Sequence, residues 1–188
     1  MNDDVRKNGL APVYREDARV LILGSMPGEQ SLQMQQYYAY PRNQFWRMIA
    51  DIRSEAVSGA PSSGETEPPA DYGLRLSFAS DCRIALWDVI GSCLREGSLD
   101  TNIREELPND IPLLLDRCPD IAAVFFNGGK AASSFKRHFG YALLSDRGID
   151  YEIMPSTSPA HTMSYQKKYR SWRMLLEYIE GAESPAVV

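Results

Sequence analysis

Four short segments carry the side chains of this 188-residue chain that could do chemistry. The first is Gly24-Ser25-Met26-Pro27-Gly28 with the stretch from Tyr38 to Trp46, where Tyr38, Arg42 and Asn43 offer an aromatic face, a guanidinium and an amide. The second is Asp88, a carboxyl that only accepts hydrogen bonds when ionised and donates one when protonated. The third is Asn127-Gly128-Gly129-Lys130, too short for a nucleotide-binding phosphate loop, which needs four residues between its glycines and a following Ser or Thr. We read it as a structural turn whose backbone N–H groups could hold one phosphate. The fourth, Pro155-Ser156-Thr157-Ser158-Pro159-Ala160-His161, presents hydroxyls and an imidazole. No serine sits in a G-x-S-x-G elbow after any apolar run, which leaves a serine hydrolase using His161 with little support. On residue type alone, Asn43 is a helix N-cap.

Each segment follows an apolar run. Val20 to Leu23 is continuously apolar and stops at Gly24, the pattern of a strand buried on both faces of a parallel sheet. Ile84–Trp87, Ile121–Phe126 and Tyr151–Met154 repeat it. Helical patterns lie between, from Asn43 through Ile52, over Tyr72–Ser80, over Ile111–Cys118 and over Ala131–Phe139. A last helix carries Tyr165, Tyr169, Trp172, Leu176 and Ile179 at helical spacing, with Gly181 placed to end it. This alternation predicts a three-layer α/β/α sandwich around a central, mostly parallel four-stranded sheet. The loops leaving parallel strands gather at one sheet edge, so all four segments are expected to converge on one site. Residues 1–18 read as a mobile lead-in, and the Pro-, Gly- and Ser-rich stretch 53–70 as a flexible surface loop within a single domain.

Composition narrows the class. Hydrophobic content of 44% with 24% charged residues is that of a soluble globular protein. No apolar run approaches the roughly 20 residues of a bilayer span, and the first residues lack a signal-peptide core, so a cytoplasmic location is expected. Cys82, Cys93 and Cys118 are widely spaced and read as free thiols, too few for a four-cysteine iron–sulfur cluster. The net charge of −5 weighs against an extended phosphate-neutralising surface and leaves room for a local positive patch.

Gly24–Gly28 taken with Tyr38-Ala39-Tyr40-Pro41-Arg42-Asn43-Gln44-Phe45-Trp46 resembles the first motif of the uracil DNA glycosylase superfamily, and within it the deoxyinosine (hypoxanthine) DNA glycosylase branch. Leu86-Trp87-Asp88, Ser98-Leu99-Asp100 and residues 155–161 extend the likeness. The resemblance implies a monofunctional DNA glycosylase that excises a deaminated base, hypoxanthine first, by hydrolysis. No metal or cofactor is implied, and no lysine falls in the two main motifs to form a Schiff base. DNA is the implied partner and a monomer the expected state. The alternatives are a uracil or xanthine glycosylase, or a non-catalytic module that binds damaged or single-stranded DNA.

The likeness also assigns roles. Many relatives orient the attacking water with an Asp or Asn before the first-loop proline; Met26 stands there and cannot, so the role passes to Asn43. Tyr38 matches the aromatic that stacks on the extruded base, with Tyr37 and Tyr40 as alternatives. Gly28 replaces a bulky aromatic of strict uracil enzymes, leaving room for a purine, and Ser25 and Met26 complete the base-binding loop. Asp88 replaces an Asn that reads the pyrimidine edge, and could accept the N1–H of hypoxanthine. Ser158 replaces the usual residue that stabilises the departing base. Arg42, His161, Lys167 and Lys168 are assigned to the DNA backbone, with Arg170 and Arg173 on the same basic side, and Met163 to the gap left by the flipped nucleotide.

Overall fold

The computed structural model describes residues 6–62, 64 and 66–179. In chain order the elements are β1 (Arg6–Asn8), β2 (Val20–Gly24), α1 (Glu29–Met34), α2 (Phe45–Ser58), α3 (Tyr72–Asp81), β3 (Ile84–Asp88), β4 (Ile90–Leu94) and β5 (Arg104–Pro108). Then follow α4 (Ile111–Arg117), β6 (Ala123–Asn127), α5 (Gly129–His138), α6 (Ala142–Ser145), β7 (Asp150–Met154), α7 (Tyr165–Trp172) and α8 (Leu176–Ile179).

The main sheet has the order β3-β2-β6-β7, and every pairing in it is parallel. Its centre is β2, buried along its whole length. Val20 and Ile22 point into a core shared with α2, α3, α7 and α8, while Leu21 and Leu23 point into a second core with α4, α5 and α6. Two apolar faces on one strand are why the run reads as unbroken in the sequence. The result is the expected three-layer sandwich. No described helix is long and apolar enough to cross a membrane.

Several expectations are corrected. The stretch after Asp88 is not simply a loop: β4 and β5 form a second, antiparallel sheet with β1, in the order β1-β4-β5. Part of the supposed lead-in is therefore strand, and Val13 bridges to Leu86. Ile-Gly-Ser-Cys-Leu and Arg-Glu-Glu-Leu-Pro are poor in β-branched and aromatic residues, so only their pairing reveals them. Helix α2 continues through Ser58, into the stretch read as a loop, and ends at Gly59 (φ +69°). Beyond it, Ser62 Oγ donates to Asp51 Oδ1 at 2.6 Å and Thr66 N donates to the same oxygen at 3.2 Å. The C-terminal helix contains a 3₁₀ turn at Arg173–Leu175, which tightens the spiral and buries Leu175 fully, with Leu176 partly buried against the same core. Gly181 lies outside the described residues.

Candidate active site

Strands β2, β3 and β6 end at Gly24, Asp88 and Asn127, and these ends, with the loop that follows β7, open into one cavity of about 560 Å³. Ser25, Met26, Gly28, Tyr38, Asn43, Ser158 and His161 also line it. The convergence expected from a parallel sheet is thus observed.

Gly24 and Asp88 are register partners on adjacent strands. A Cβ at Gly24 would overlap Asp88 Oδ1 and come within 3.4 Å of the Tyr38 hydroxyl. The glycine is there for that close approach, not for a turn. Asp88 is 4% exposed and its Oδ2 has no hydrogen-bond partner. Burial, reinforced by the charge of Asp100 and opposed by Arg95, pushes its carboxyl up to about 7. Asp100 accepts from Ser25 Oγ at 2.8 Å, and burial raises its carboxyl too. Asp88 caps no helix or loop. It is a buried carboxyl with capacity to spare.

Gly28 has φ −67° and ψ 167°, a conformation open to any residue, and a Cβ there would make only ordinary contacts with Ser98. Its backbone does not require glycine; what glycine provides is space. Met26 is buried and packs with Ile90 and Cys93.

All three tyrosines line the cavity and differ in burial and partners. Tyr37 is buried, with its hydroxyl donating to the Ala11 carbonyl at 2.9 Å. Tyr40 is exposed, and its hydroxyl accepts from Arg42 Nε (2.9 Å) and Nη2 (2.6 Å). Tyr38 lies at the cavity with φ +54°, one ring face stacked on Phe45 at 3.8 Å between centroids. Burial, with Asp88 nearby, raises its phenol well above the usual range. Asn43 Oδ1 accepts from Phe45 N at 3.0 Å, so the amide supports the first turn of α2 and lines the cavity at once.

The opposite wall, residues 155–161, is held by polar tethers. Asn127 clamps Thr157 twice, Nδ2 donating to Thr157 Oγ1 and Oδ1 accepting from Thr157 N, both at 2.9 Å. Gln44 N donates to Thr157 O at 3.0 Å, and Trp172 Nε1 to Pro155 O at 3.0 Å. Gly128 has φ +101°, and a Cβ would press on Ser156 at 3.1 Å, which fixes glycine there. The turn after β6 is therefore structural, as its residue types suggest, and Lys130 is paired with Glu106 at 2.7 Å.

One assignment on the last helix is corrected. Lys168 does not face outward to meet a DNA backbone: it is 1% exposed, Nζ donates to Ser158 O at 3.2 Å, and burial lowers its ammonium. It faces inward because position 168 lies three residues beyond Tyr165 and four before Trp172, on the buried side of α7. Arg173 is engaged with Glu55. Lys167, Arg170 and Met163 are exposed, and His161 is exposed at the cavity rim. The site also includes Asp100, Ser98 and Asn127, which lie in segments that the sequence marks but to which it assigns no role. Asn127 stands at a strand end, a signal available in the sequence; the place of Asp100 depends on the unforeseen second sheet.

The family model of the uracil DNA glycosylase superfamily matches residues 11–180. Hypoxanthine DNA glycosylase of Methanosarcina barkeri is 33% identical over 168 residues, covering 89% of this chain and 96% of that protein. Hypoxanthine DNA glycosylase of Methanosarcina acetivorans is 31% identical over 172 residues, covering 92% and 99%. The solution NMR structure of a candidate uracil DNA glycosylase from Methanosarcina acetivorans matches with a TM-score of 0.74 at 30% identity, over 94% of this chain and 99% of that one. The chain belongs to the uracil DNA glycosylase superfamily.

Proposed function

We propose that the protein is a monofunctional DNA glycosylase that releases hypoxanthine from deoxyinosine. The observation that carries the reading is Gly28, which lines the cavity beside Ser98 with no side chain although its backbone has no need of glycine. The names of the two relatives support the same base.

The deoxyinosine is flipped out of the duplex, and its base enters the cavity against the free face of Tyr38. Asp88 accepts the N1–H of hypoxanthine, and in its protonated form also donates to O6. The C1′–N9 bond breaks with its electron pair leaving on the base, and the sugar passes through an oxocarbenium-like state. Water attacks C1′, and its proton ends on the released base. Asn43 Oδ1 holds the Phe45 N–H with one lone pair and orients the water with the other. Arg42, His161 and Lys167, with Met163 beside them, meet the flanking DNA.

The test is base release from otherwise identical duplexes carrying hypoxanthine, uracil or xanthine, with alkali to cleave abasic sites. Hypoxanthine should be released in preference to uracil. Preferential uracil release would refute the base assignment; binding without release of any base would make the protein a binding module. Asn43→Ala should cut release by roughly 10²- to 10³-fold with DNA binding intact.

A further inference from the structure

The reaction above leaves negative charge on the departing base, and the cavity wall is badly furnished to meet it. The lining includes the carboxyls of Glu29, Asp88 and Asp100 and neither a lysine nor an arginine. Positive charge stands behind the wall instead. Arg95 is buried and donates to the carbonyls of Met26 and Pro27, but its charge already acts on Asp88 and Asp100. Lys168 differs. It is 1% exposed, its Nζ donates to the Ser158 carbonyl at 3.2 Å, and among the described residues no carboxylate lies within ion-pair distance of it.

Burying an ammonium without a counter-ion is costly. The Ser158 carbonyl does not need it, because His161 N already donates there at 3.1 Å. The loop does not depend on it either, being tethered at Pro155 and Thr157 by Trp172, Asn127 and Gln44. What Lys168 adds that no other group in the wall supplies is an uncompensated positive charge, directly behind a residue that lines the cavity.

Resting on the glycosylase reading, we propose that Lys168 is a positioning residue for catalysis: from behind Ser158 its charge sets the departing base in positive potential. As the C1′–N9 pair moves onto the base, the charge behind this wall stabilises the developing anion. A preorganised charge in a water-poor setting acts strongly on such a transition state and little on the neutral bound base.

The test compares Lys168→Met, Lys168→Gln and Lys168→Arg in the full-length protein. Single-turnover hypoxanthine release at saturating enzyme is measured beside the melting temperature and the affinity for the duplex. Lys168→Met should keep or raise the melting temperature and leave duplex affinity unchanged, while release slows by about 10- to 100-fold. Lys168→Arg, which keeps the charge, should recover most of the rate. Release by Lys168→Met within about threefold of wild type would overturn the proposal. So would a Lys168→Arg rate as low as that of Lys168→Met, since shape and not charge would then be at stake. Should the methionine variant not fold, glutamine against arginine decides by the same criterion. A wild-type protein that releases no base refutes the underlying reading, an outcome distinct from either.

Discussion

Buried carboxyls occur in two regions of this molecule, and their fates are opposite. Where α2 meets α7, Asp51 is 0% exposed and both oxygens are taken: Oδ1 by Ser62 Oγ and Thr66 N, Oδ2 by the Tyr165 hydroxyl. Burial by itself would raise the Asp51 carboxyl, but these hydrogen bonds outweigh it and hold it below its ordinary value. Glu55, one turn on, accepts from Arg173 Nε at 3.0 Å and from the Tyr169 hydroxyl at 2.6 Å, and is lowered for those reasons. In the cavity, Asp88 is buried to nearly the same degree with an orphaned Oδ2, and is raised. A satisfied buried carboxylate stabilises the fold; an unsatisfied one costs stability and is retained for something outside the fold. Asp51 and Glu55 belong to the architecture; Asp88, on the proposed function, serves the ligand.

The comparison breaks first at Asp51. Asp51→Ala strands the buried Tyr165 hydroxyl and the half-buried donors Ser62 Oγ and Thr66 N, and should cost about 3–5 kcal/mol in denaturant unfolding. Below the lowered midpoint, base release per folded molecule should be unchanged; a variant as stable as wild type would remove Asp51 from the architecture. Gly24→Ala comes next. The new methyl overlaps Asp88 Oδ1 on the neighbouring strand, so the carboxyl must move or the strands must part, for roughly 1–3 kcal/mol. Activity should fall more than stability, because the displaced group lines the cavity and is the one proposed to meet the base. Unaltered kinetics would mean that the position of Asp88 is immaterial.

What is legible in the sequence follows the same division. The parallel sheet can be read because β2 and β6 are apolar on both faces, and such runs have few other uses. The convergence of Gly24, Asp88, Asn127 and the 155–161 loop follows from that topology. The antiparallel sheet cannot be read: Arg104–Pro108 is largely exposed and charged, and it is a strand only through its partner β4. Within the site, residue type gives Asp88 as a carboxyl but not its solitude, which depends on Gly24 lying beneath it. Lys168 is misread as part of a basic face because spacing along α7 gives a side of the helix, whereas only packing against the 155–161 loop shows that side to be buried. The Asp51 cluster is invisible because Tyr165 lies 114 residues away and Ser62 falls in a stretch read as a flexible loop.

The two regions also respond oppositely to pH. Asp51 and Glu55 have lowered carboxyls, so their stabilisation is present above the unfolded range near pH 4 and is lost as pH falls through the folded values. Asp88 runs the other way. Between about pH 4 and 7 the folded protein holds a proton that the unfolded chain has released, so stability falls as pH rises through that window. Asp88→Asn should remove this loss, gaining roughly 1–2 kcal/mol on wild type between pH 5 and pH 8. A constant difference between the two proteins across that range would contradict the buried, orphaned carboxyl.

The smallest effect, and the most specific, is on the rate. Protonated Asp88 offers both a donor to O6 and an acceptor for N1–H; ionised Asp88 loses the donor and repels the charge that develops on the leaving base. Hypoxanthine release should therefore decline by about three- to tenfold as pH rises through 7. Asp88→Asn keeps one donor and one acceptor without a charge, so its profile should be flat there while release itself persists. If the variant keeps the wild-type inflection, the titrating group lies elsewhere and Asp88 acts by shape alone. If the inflection vanishes while Asp51→Ala retains it, the two regions are separated by function as cleanly as by hydrogen bonding. The orphaned oxygen of Asp88 is then the atom that meets the base.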